Sequence, residues 1–307
     1  MCTHCGCSTT GGITVTNLAT GRHVHLHADF DPDAPAPHGH AHDEHHHHDG
    51  DDHHDHHHHH HHHHDHAGAS ASSPHPGHGS AELSPARART IRVEQELLRK
   101  NDRLAARNRG WLSGRGVLAL NVMSSPGAGK TTLLEQTVRS FGEQVSFHVI
   151  EGDQATLRDA ERIRAAGGRA VQVNTGTGCH LDAAMVAAAL EQLNPPTGDV
   201  VLIENVGNLV CPALFDLGEH VRVVVASVTE GDDKPAKYPH MFRTADVVVL
   251  NKIDLAPHVD FDVAAFEQRA RELNPQVRLF RVSAARGTGM EEWRQWISET
   301  QRQQQAR

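Results

Sequence analysis

The segment "SSPGAGKTT", Ser124–Thr132, decides the fold of this 307-residue chain. It follows a short apolar run at 117–123 and leads into "TTLLEQTVRSF", whose apolar residues recur at helical spacing. A Gly-rich loop between a strand and a helix points its amides and the helix N-terminus at phosphate groups, so the segment predicts a phosphate-binding loop. Ser124 replaces the first glycine of the general GxxxxGKT pattern. The strand and helix context favours this interpretation over a chance Gly-Lys-Thr turn.

Apolar runs rich in Val, Ile and Leu continue through the rest of the chain, at 145–150, 169–173, 199–204, 221–227, 246–250 and 277–281. Helical patterns lie between most of them, and "GMEEWRQWISETQRQQQ" closes the chain as a helix. Continuous apolar strands that alternate with helices predict an α/β fold, a P-loop domain over 117–307 with a mostly parallel sheet flanked by helices. A lead-in helix is predicted within 81–116, begun by Ser84 and Pro85 and ended by Gly110.

Residues 1–80 have a different composition. They hold 24 of the 30 histidines between His23 and His78, together with ten acidic residues, a single Arg and few apolar residues. Such a segment buries too little apolar surface to offset its chain entropy, so we predict a disordered metal-binding region. The tract His53–His66 is internal and interrupted by aspartates, which favours metal storage over a purification tag or a spacer. Both alternatives stay open.

Charge and hydropathy exclude several classes of protein. Residues 81–307 carry 28 basic and 28 acidic side chains, a balance that argues against a nucleic-acid-binding surface. No apolar run approaches membrane-spanning length, and "MCTHCGCSTT" lacks the apolar core of a secretion signal. A cytoplasmic location is expected, in which the five cysteines are metal ligands or plain thiols rather than disulfides.

Two motifs predict that the nucleotide is GTP. In the phosphate loop Lys130 reaches the β- and γ-phosphates and the Thr131 hydroxyl holds Mg²⁺. The stretch "VVVLNKID" ends a strand, and Asp254 can accept hydrogen bonds from guanine that adenine cannot donate. The remaining predicted nucleotide contacts are Ser125, Gly127, Ala128, Gly129 and Thr132 in the loop, Asn251 and Lys252 beside the base, and Ser283 and Ala284 in "RVSAARG", where a backbone amide would meet guanine O6.

Two acidic residues follow predicted strands. Asp153 in "VIEGD" and Glu204 in "VLIENVGN" should lie at the carboxyl edge of the sheet, near the γ-phosphate. Asp153 is assigned to the magnesium ion, directly or through water. Glu204 with Gly207 stands in for the D-x-x-G of small GTPases, and it either orients water or senses the γ-phosphate. A solvated carboxylate at a strand end is the plainer alternative for each acid.

The N-terminus "MCTHCGC" contains three thiols within six residues. With Met1 removed, the α-amine joins Cys2, Cys5 and Cys7 as a fourth donor. One nitrogen and three sulfurs suit square-planar Ni²⁺; tetrahedral Zn²⁺ and an unliganded terminus are the alternatives.

Further candidate ligands lie inside the predicted domain. The stretch "NTGTGCHLD" offers Cys179 and His180 at a helix start, and "ENVGNLVCP" offers Cys211 seven residues after Glu204. A shift of the latter segment between GTP and GDP would move a metal ligand, which links hydrolysis to metal release. Buried cysteines are otherwise ordinary core residues.

These motifs together resemble the nickel-incorporation GTPases of NiFe-hydrogenase maturation, the HypB family. The resemblance is carried by "CTHCGC", "VEQELLRKNDRLAARNR", "SSPGAGKTTLL", "EGDQATLRDAERI", "NTGTGCHLDAAMV", "LIENVGNLVCP", "SVTEGDDKPAKYP" and "LNKIDL". It implies a GTP-dependent homodimer, a nickel site at the N-terminal cysteines and a second site at Cys179, His180 and Cys211 for Ni²⁺ or Zn²⁺. It also implies that Lys234 in "TEGDDKPAKYP" approaches the phosphates, whereas the residues alone indicate only a charged loop.

The family's role sets the expected function. The resemblance implies a GTP-hydrolysing nickel metallochaperone that stores nickel and inserts it into the hydrogenase large subunit precursor, with a small zinc-binding maturation protein, HypA, as partner. The alternatives are a nickel-storage protein whose nucleotide domain is a scaffold and a urease-type nickel-insertion GTPase.

Overall fold

A computed structural model of the protein describes residues 13–26, 85–142, 144–153, 158–176 and 178–306. Within these ranges, only the backbone is described at 85–91, 153 and 158. The predictions for Cys2, Cys5, Cys7 and the tract His53–His66 lie outside the described residues.

One mixed sheet organises the described chain. Its strands are β1 (Ile13–Asn17), β2 (His23–Leu26), β3 (Leu118–Ser124), β4 (Phe147–Asp153), β5 (Arg169–Asn174), β6 (Val200–Glu204), β7 (Val221–Ser227), β8 (Val247–Asn251) and β9 (Arg278–Arg281). Their order across the sheet is β2-β1-β5-β4-β6-β3-β7-β8-β9. The seven strands from β3 to β9 are all parallel, and each coincides with a predicted apolar run.

Helices cover both faces of the sheet. They are α1 (Pro85–Ser113), α2 (Lys130–Phe141), α3 (Arg158–Ala165), α4 (Ala183–Leu193), α5 (Lys234–Lys237), α6 (Pro239–Thr244), α7 (Val263–Leu273) and α8 (Met290–Gln305). Side chains of α2, α3 and α8 pack with Leu120 of β3 on one face, and Trp293 is fully buried there. On the other face α1 and α4 pack around Ala119, and α6 and α7 form a neighbouring cluster. The predicted α/β class is confirmed.

Part of the predicted disordered region is ordered. Residues 13–26 form an antiparallel hairpin, and β1 pairs antiparallel with β5 at the edge of the sheet. The prediction was wrong for this stretch because Val15 and Leu26 are buried in the shared core while His23 and His25 stay exposed. Alternation of buried and exposed residues over so few positions is a weak signal beside the surrounding histidines. The rest of the predicted region, residues 1–12 and 27–80, lies outside the described residues.

Helix α1 is longer than predicted. Gly110 lies inside the helix, which continues to Ser113. Gly114 then donates its backbone N–H to the Gly110 carbonyl at 2.9 Å. Leu112 is fully buried in the core beside α4, so tertiary packing outweighs the low helix propensity of glycine.

No helix in the described part of the chain combines the length and apolar character needed to cross a membrane.

Candidate functional site

The phosphate loop has the backbone that its sequence requires. It joins β3 to α2, with Gly127 at φ 77° and Gly129 at φ 95°, both in the left-handed region that favours glycine. A Cβ on Gly129 would also lie 2.5 Å from Asn251 Nδ2. Ser124 contributes directly, because its hydroxyl accepts a hydrogen bond from Lys130 Nζ at 3.0 Å. The departure from the general motif therefore positions the loop lysine.

A cavity of about 480 Å³ opens in front of this loop. It is lined by the loop, the first turn of α2, the ends of β4 and β6, the start of α3 and the segment after β6. The lining residues are Ser124, Pro126, Gly127, Gly129, Lys130, Thr131, Thr132, Glu151, Gly152, Asp159, Arg162, Glu204, Asn205, Val206 and Gly207. The structure thus gathers Lys130, Thr131, Thr132, Glu204 and Gly207 around one space. Gly207 packs so closely that a Cβ there would lie 3.1 Å from the Pro126 side chain.

Glu204 forms the floor of the cavity. Its Oε1 accepts a hydrogen bond from the Thr131 hydroxyl at 2.7 Å and lies 4.0 Å from Lys130 Nζ. Burial raises the pKa of Glu204, and the Lys130 charge opposes that shift. The carboxylate thus contacts the two residues that the sequence assigns to phosphate and magnesium.

Glu151 is a functional candidate that sequence reasoning missed. It lies in register with Glu204 across the parallel pair β4 and β6, and it is almost fully buried. Burial raises its pKa well above the ordinary value, and the neighbouring Glu204 carboxylate raises it further. Glu151 directly follows the predicted strand run at 145–150, and an acidic residue at that position was the available signal.

The assignment of Asp153 to the magnesium ion stays a prediction. The backbone of Asp153 ends β4, paired with Asn174 of β5, two residues beyond Glu151.

The predicted base-binding residues converge beside the phosphate loop. Asn251 donates from Nδ2 to the Ala128 carbonyl at 3.0 Å, and its Oδ1 accepts from the Ala284 amide at 3.1 Å. Lys252 Nζ donates to the Gly127 carbonyl at 2.7 Å. Asp254 is exposed at the same edge. Here the Ala284 amide orients Asn251, and a contact from this segment to guanine O6 stays a prediction.

Ser283 and Lys234 occupy defined positions near these residues. Buried Ser283 accepts a hydrogen bond from the Arg286 amide at its Oγ, 3.2 Å away, and so shapes the turn after β9. Lys234 Nζ donates to Ser125 Oγ at 3.1 Å and lies 3.7 Å from Glu230 Oε1. The lysine at the start of α5 thus contacts the phosphate loop within one chain.

The predicted inner ligands form a compact trio. Candidate ligand atoms of Cys179, His180 and Cys211, the Cys-His-Cys cluster, lie within 4.8 Å of one another. The His180 ring stacks on Phe215 with centroids 4.0 Å apart. Burial lowers the pKa of His180, although Asp182 opposes the shift, so the imidazole is neutral near pH 7 and its lone pair can bind a metal. Two sulfurs and one imidazole nitrogen suit Ni²⁺ or Zn²⁺ and leave coordination positions open.

The segment 204–211 links this cluster to the phosphate cavity. Asn205 follows Glu204, and its Oδ1 accepts a hydrogen bond from the Leu181 amide at 3.1 Å. Leu181 is the residue after His180. Asn208 Nδ2 donates to the Cys179 carbonyl at 3.4 Å. At the other side Gly152 lets β4 approach closely, because a Cβ there would lie 2.8 Å from the Leu181 side chain. The segment that begins at Glu204 is therefore hydrogen-bonded to the chain at Cys179 and Leu181 and continues to Cys211.

Comparisons with known proteins are consistent with this geometry. The family model for the CobW/HypB/UreG nucleotide-binding domain matches residues 118–281. The hydrogenase maturation factor HypB of Azotobacter chroococcum mcd 1 is 56% identical over 212 residues, which are 69% of this chain and 70% of that protein.

Solved structures show the same relationship. The crystal structure of the hydrogenase maturation factor HypB from Archaeoglobus fulgidus has a TM-score of 0.63 at 42% identity, covering 66% of this chain and all of that one. HypB from Helicobacter pylori, crystallised in complex with nickel, has a TM-score of 0.63 at 39% identity, covering 66% of this chain and 96% of the other.

Proposed function

Because the chain belongs to the HypB family of hydrogenase maturation factors, we propose that it is a GTP-hydrolysing metallochaperone that inserts nickel into the NiFe-hydrogenase large subunit precursor. One observation carries the proposal: the phosphate cavity and the Cys-His-Cys cluster share the segment 204–211, so the state of the nucleotide can reach the metal ligands. The crystal structure of HypB from Helicobacter pylori with nickel supports nickel as the cargo.

GTP occupies the cavity with its phosphates on the loop. Lys130 contacts the β- and γ-phosphates, and loop amides and the N-terminus of α2 complete the cradle. Asp254 accepts hydrogen bonds from guanine, while Asn251 is already oriented by Ala128 and Ala284. Lys252, whose Nζ donates a hydrogen bond to the Gly127 carbonyl, packs its aliphatic stem along the base. Hydrolysis yields GDP and phosphate.

A magnesium ion fits beside these residues. Within the described chain, Oε2 of Glu204 and Oε2 of Glu151 are buried without a hydrogen-bond partner, which is the kind of oxygen that a hard divalent cation accepts. Thr131 and Asp153 would hold the ion, and Glu204, which accepts the hydrogen bond of the Thr131 hydroxyl, would orient that hydroxyl. The chemistry supplied there would be neutralisation of phosphate charge by a divalent cation.

Nickel is the substrate of the metal sites. Cys2, Cys5 and Cys7 with the α-amine form a loading site, the histidine-rich segment up to residue 80 stores nickel, and the Cys-His-Cys cluster passes it on. We place the working complex in the cytoplasm, as a GTP-dependent homodimer that receives help from HypA. In this scheme the P-loop domain spans 117–307 and the lead-in helix lies within 81–116.

Nickel transfer in cells lacking the native protein tests the proposal. We expect Lys130→Ala to abolish hydrogenase activity at limiting nickel, since the γ-phosphate loses its main cation. Cys211→Ala should do the same with GTP hydrolysis intact. Lys237→Ala is the matched control, because this exposed lysine pairs with Asp233 away from the cavity. Hydrogenase activity that survives Lys130→Ala would instead indicate a storage protein whose nucleotide domain is a scaffold.

A further inference from the structure

Arg162 of α3 lines the phosphate cavity, and sequence analysis assigned it no role. Its Nη2 donates to Thr132 Oγ1 at 3.1 Å and to Glu135 Oε2 at 2.8 Å, both on α2. Its Nη1 donates to Asp159 Oδ1 at 3.2 Å. The guanidinium is thus held by Thr132, the residue after Thr131, beside the cavity that would receive the phosphates.

The charge balance of the cavity indicates a role for Arg162 in binding phosphate. Three acids line it, Glu151, Asp159 and Glu204, against two cations among the described lining residues, Lys130 and Arg162. Lys130 is nearly enclosed, with 10% of its side chain exposed, whereas Arg162 has 37% exposed. A triphosphate adds several negative charges to a space that already holds carboxylates. Because guanidinium has five N–H donors and these contacts use three, Arg162 can reach a further anion while staying anchored.

We propose that Arg162 is a catalytic residue of GTP hydrolysis, contacting the terminal phosphate with its guanidinium within the same chain. The inference rests on the proposed GTPase function. In the step, a water oxygen forms a bond to the γ-phosphorus while the bond from that phosphorus to the β–γ bridging oxygen breaks. Its electron pair stays on the β-phosphate of GDP, and the water protons end on inorganic phosphate and solvent. A fixed cation at the γ-phosphate stabilises the charge that is redistributed.

A purely structural role for Arg162 is the competing explanation, because its bond to Glu135 also joins α3 to α2. The chain contains a matched comparison for this role. Arg139 donates to the other oxygen of the same Glu135 carboxylate at 2.8 Å, is 53% exposed and does not line the cavity. Loss of Arg139 removes an ion pair with Glu135 and leaves the cavity charge unchanged.

Single-turnover GTP hydrolysis, measured together with GDP affinity and melting temperature on the full chain, tests the proposal. We expect Arg162→Gln to slow hydrolysis on the order of 100-fold with GDP affinity unchanged. Arg162→Lys should recover part of the rate, since it restores charge without the forked geometry. Arg139→Gln should hydrolyse GTP like the wild type. Glu135→Gln should retain most of the hydrolysis rate, because Asp159 and Thr132 still hold Arg162 when the Glu135 ion pair is lost.

Three outcomes would overturn the proposal. Hydrolysis by Arg162→Gln at the wild-type rate would show that the guanidinium does not act on the phosphate. Equal losses in Glu135→Gln and Arg162→Gln, with matching falls in melting temperature, would show that the contact only joins the helices. Absence of GTP hydrolysis by the wild type itself would overturn the proposed function as well, which separates the two failures.

Discussion

Two buried glutamates of this protein have pKa values shifted in opposite directions, and their hydrogen-bond partners explain the difference. Glu204 has its pKa raised by burial, with Lys130 too far to compensate fully. Glu267 of α7 is also buried, but the hydrogen bond from Arg281 Nε, 2.6 Å away, lowers its pKa, and Arg271 at 3.3 Å adds to the shift. The first arrangement suits a site that receives a cation, while the second stabilises the fold.

Glu267→Gln should make stability less dependent on pH. A carboxyl whose pKa is lowered in the folded state adds stability above its unfolded pKa and loses that contribution as the pH falls through the folded pKa. We therefore expect the variant to be less stable than the wild type at pH 7 and the two to converge in strongly acidic buffer. Urea unfolding between pH 3 and pH 7 measures the difference.

Glu291 of α8 provides the control for this titration. It pairs with Arg294 at 2.7 Å, but its side chain is 75% exposed, so solvent screens the pair. Glu291→Gln should change stability little at any pH in this range. A constant gap between Glu267→Gln and the wild type down to acidic pH would contradict the assigned role of ionisation.

At the scale of elements, α1 braces the region that carries the metal ligands. Asn101 accepts the Ala183 amide at 2.9 Å, at the start of α4, and donates to the Asp216 carbonyl at 2.7 Å. Asn108 donates to the carbonyls of Ala183 and Leu217 at 2.8 and 3.0 Å. Two amide side chains on one helix thus hold the chain next to Cys179 and the chain after Cys211 in a fixed relation.

Gly110→Ala should stabilise α1. The glycine lies inside the helix, and apart from its two chain neighbours and the surrounding helix backbone no heavy atom lies within 4 Å of a new Cβ. Alanine restricts the unfolded chain more and fits the helix, so we expect a gain of about 0.5–1 kcal/mol in the free energy of unfolding. Chemical denaturation followed by circular dichroism measures it.

Gly218→Ala is the contrasting change in the loop that α1 contacts. Gly218 has φ 90°, and a Cβ there would lie 2.6 Å from the Ala105 carbonyl oxygen. This variant should be clearly less stable than the wild type. If Gly218→Ala raised the free energy of unfolding as Gly110→Ala is expected to do, α1 would not be packed on this loop as described.

The folded unit extends beyond the predicted P-loop domain, because the hairpin at 13–26 adds two strands to the same sheet. Val15 of β1 is fully buried and lies in register with Val173 of β5 and Val24 of β2. Gln192 of α4 donates to the Val15 carbonyl at 3.0 Å and fixes the strand from the helical side. An N-terminal strand that pairs with a distant edge makes the boundary at residue 80 a boundary of composition, not of folding.

Val15→Ala should therefore destabilise the entire domain. Loss of two buried methyl groups from this edge is expected to cost about 2 kcal/mol in the free energy of unfolding. Global unfolding of the full chain in urea measures it. His25→Ala, an exposed position in the same hairpin, should stay within about 0.5 kcal/mol of the wild type. A wild-type midpoint for Val15→Ala would mean that the hairpin is not part of the cooperative unit.

The predictable parts of the site were those encoded by neighbouring residues. The phosphate loop and the "NKID" turn each lie in one short stretch after a strand, so their positions followed from the order of strands. Glu151 was missed because its importance comes from β4 lying beside β6, where it meets Glu204. Arg162 was missed because its role depends on α3 packing against the first turns of α2.

The sequence by itself determined the seven parallel strands, the helices between them and the nucleotide motifs, because hydrophobic periodicity and loop chemistry act over a few consecutive residues. Only the tertiary structure decided the edge hairpin and the pairing of Glu151 with Glu204. It also brings Cys179 and His180 close to Cys211, a site that the sequence implied only through the family resemblance. Those contacts join residues far apart in the chain. Their free energy depends on which strands are neighbours in the sheet, and strand order is set by packing of the whole core rather than by any local pattern.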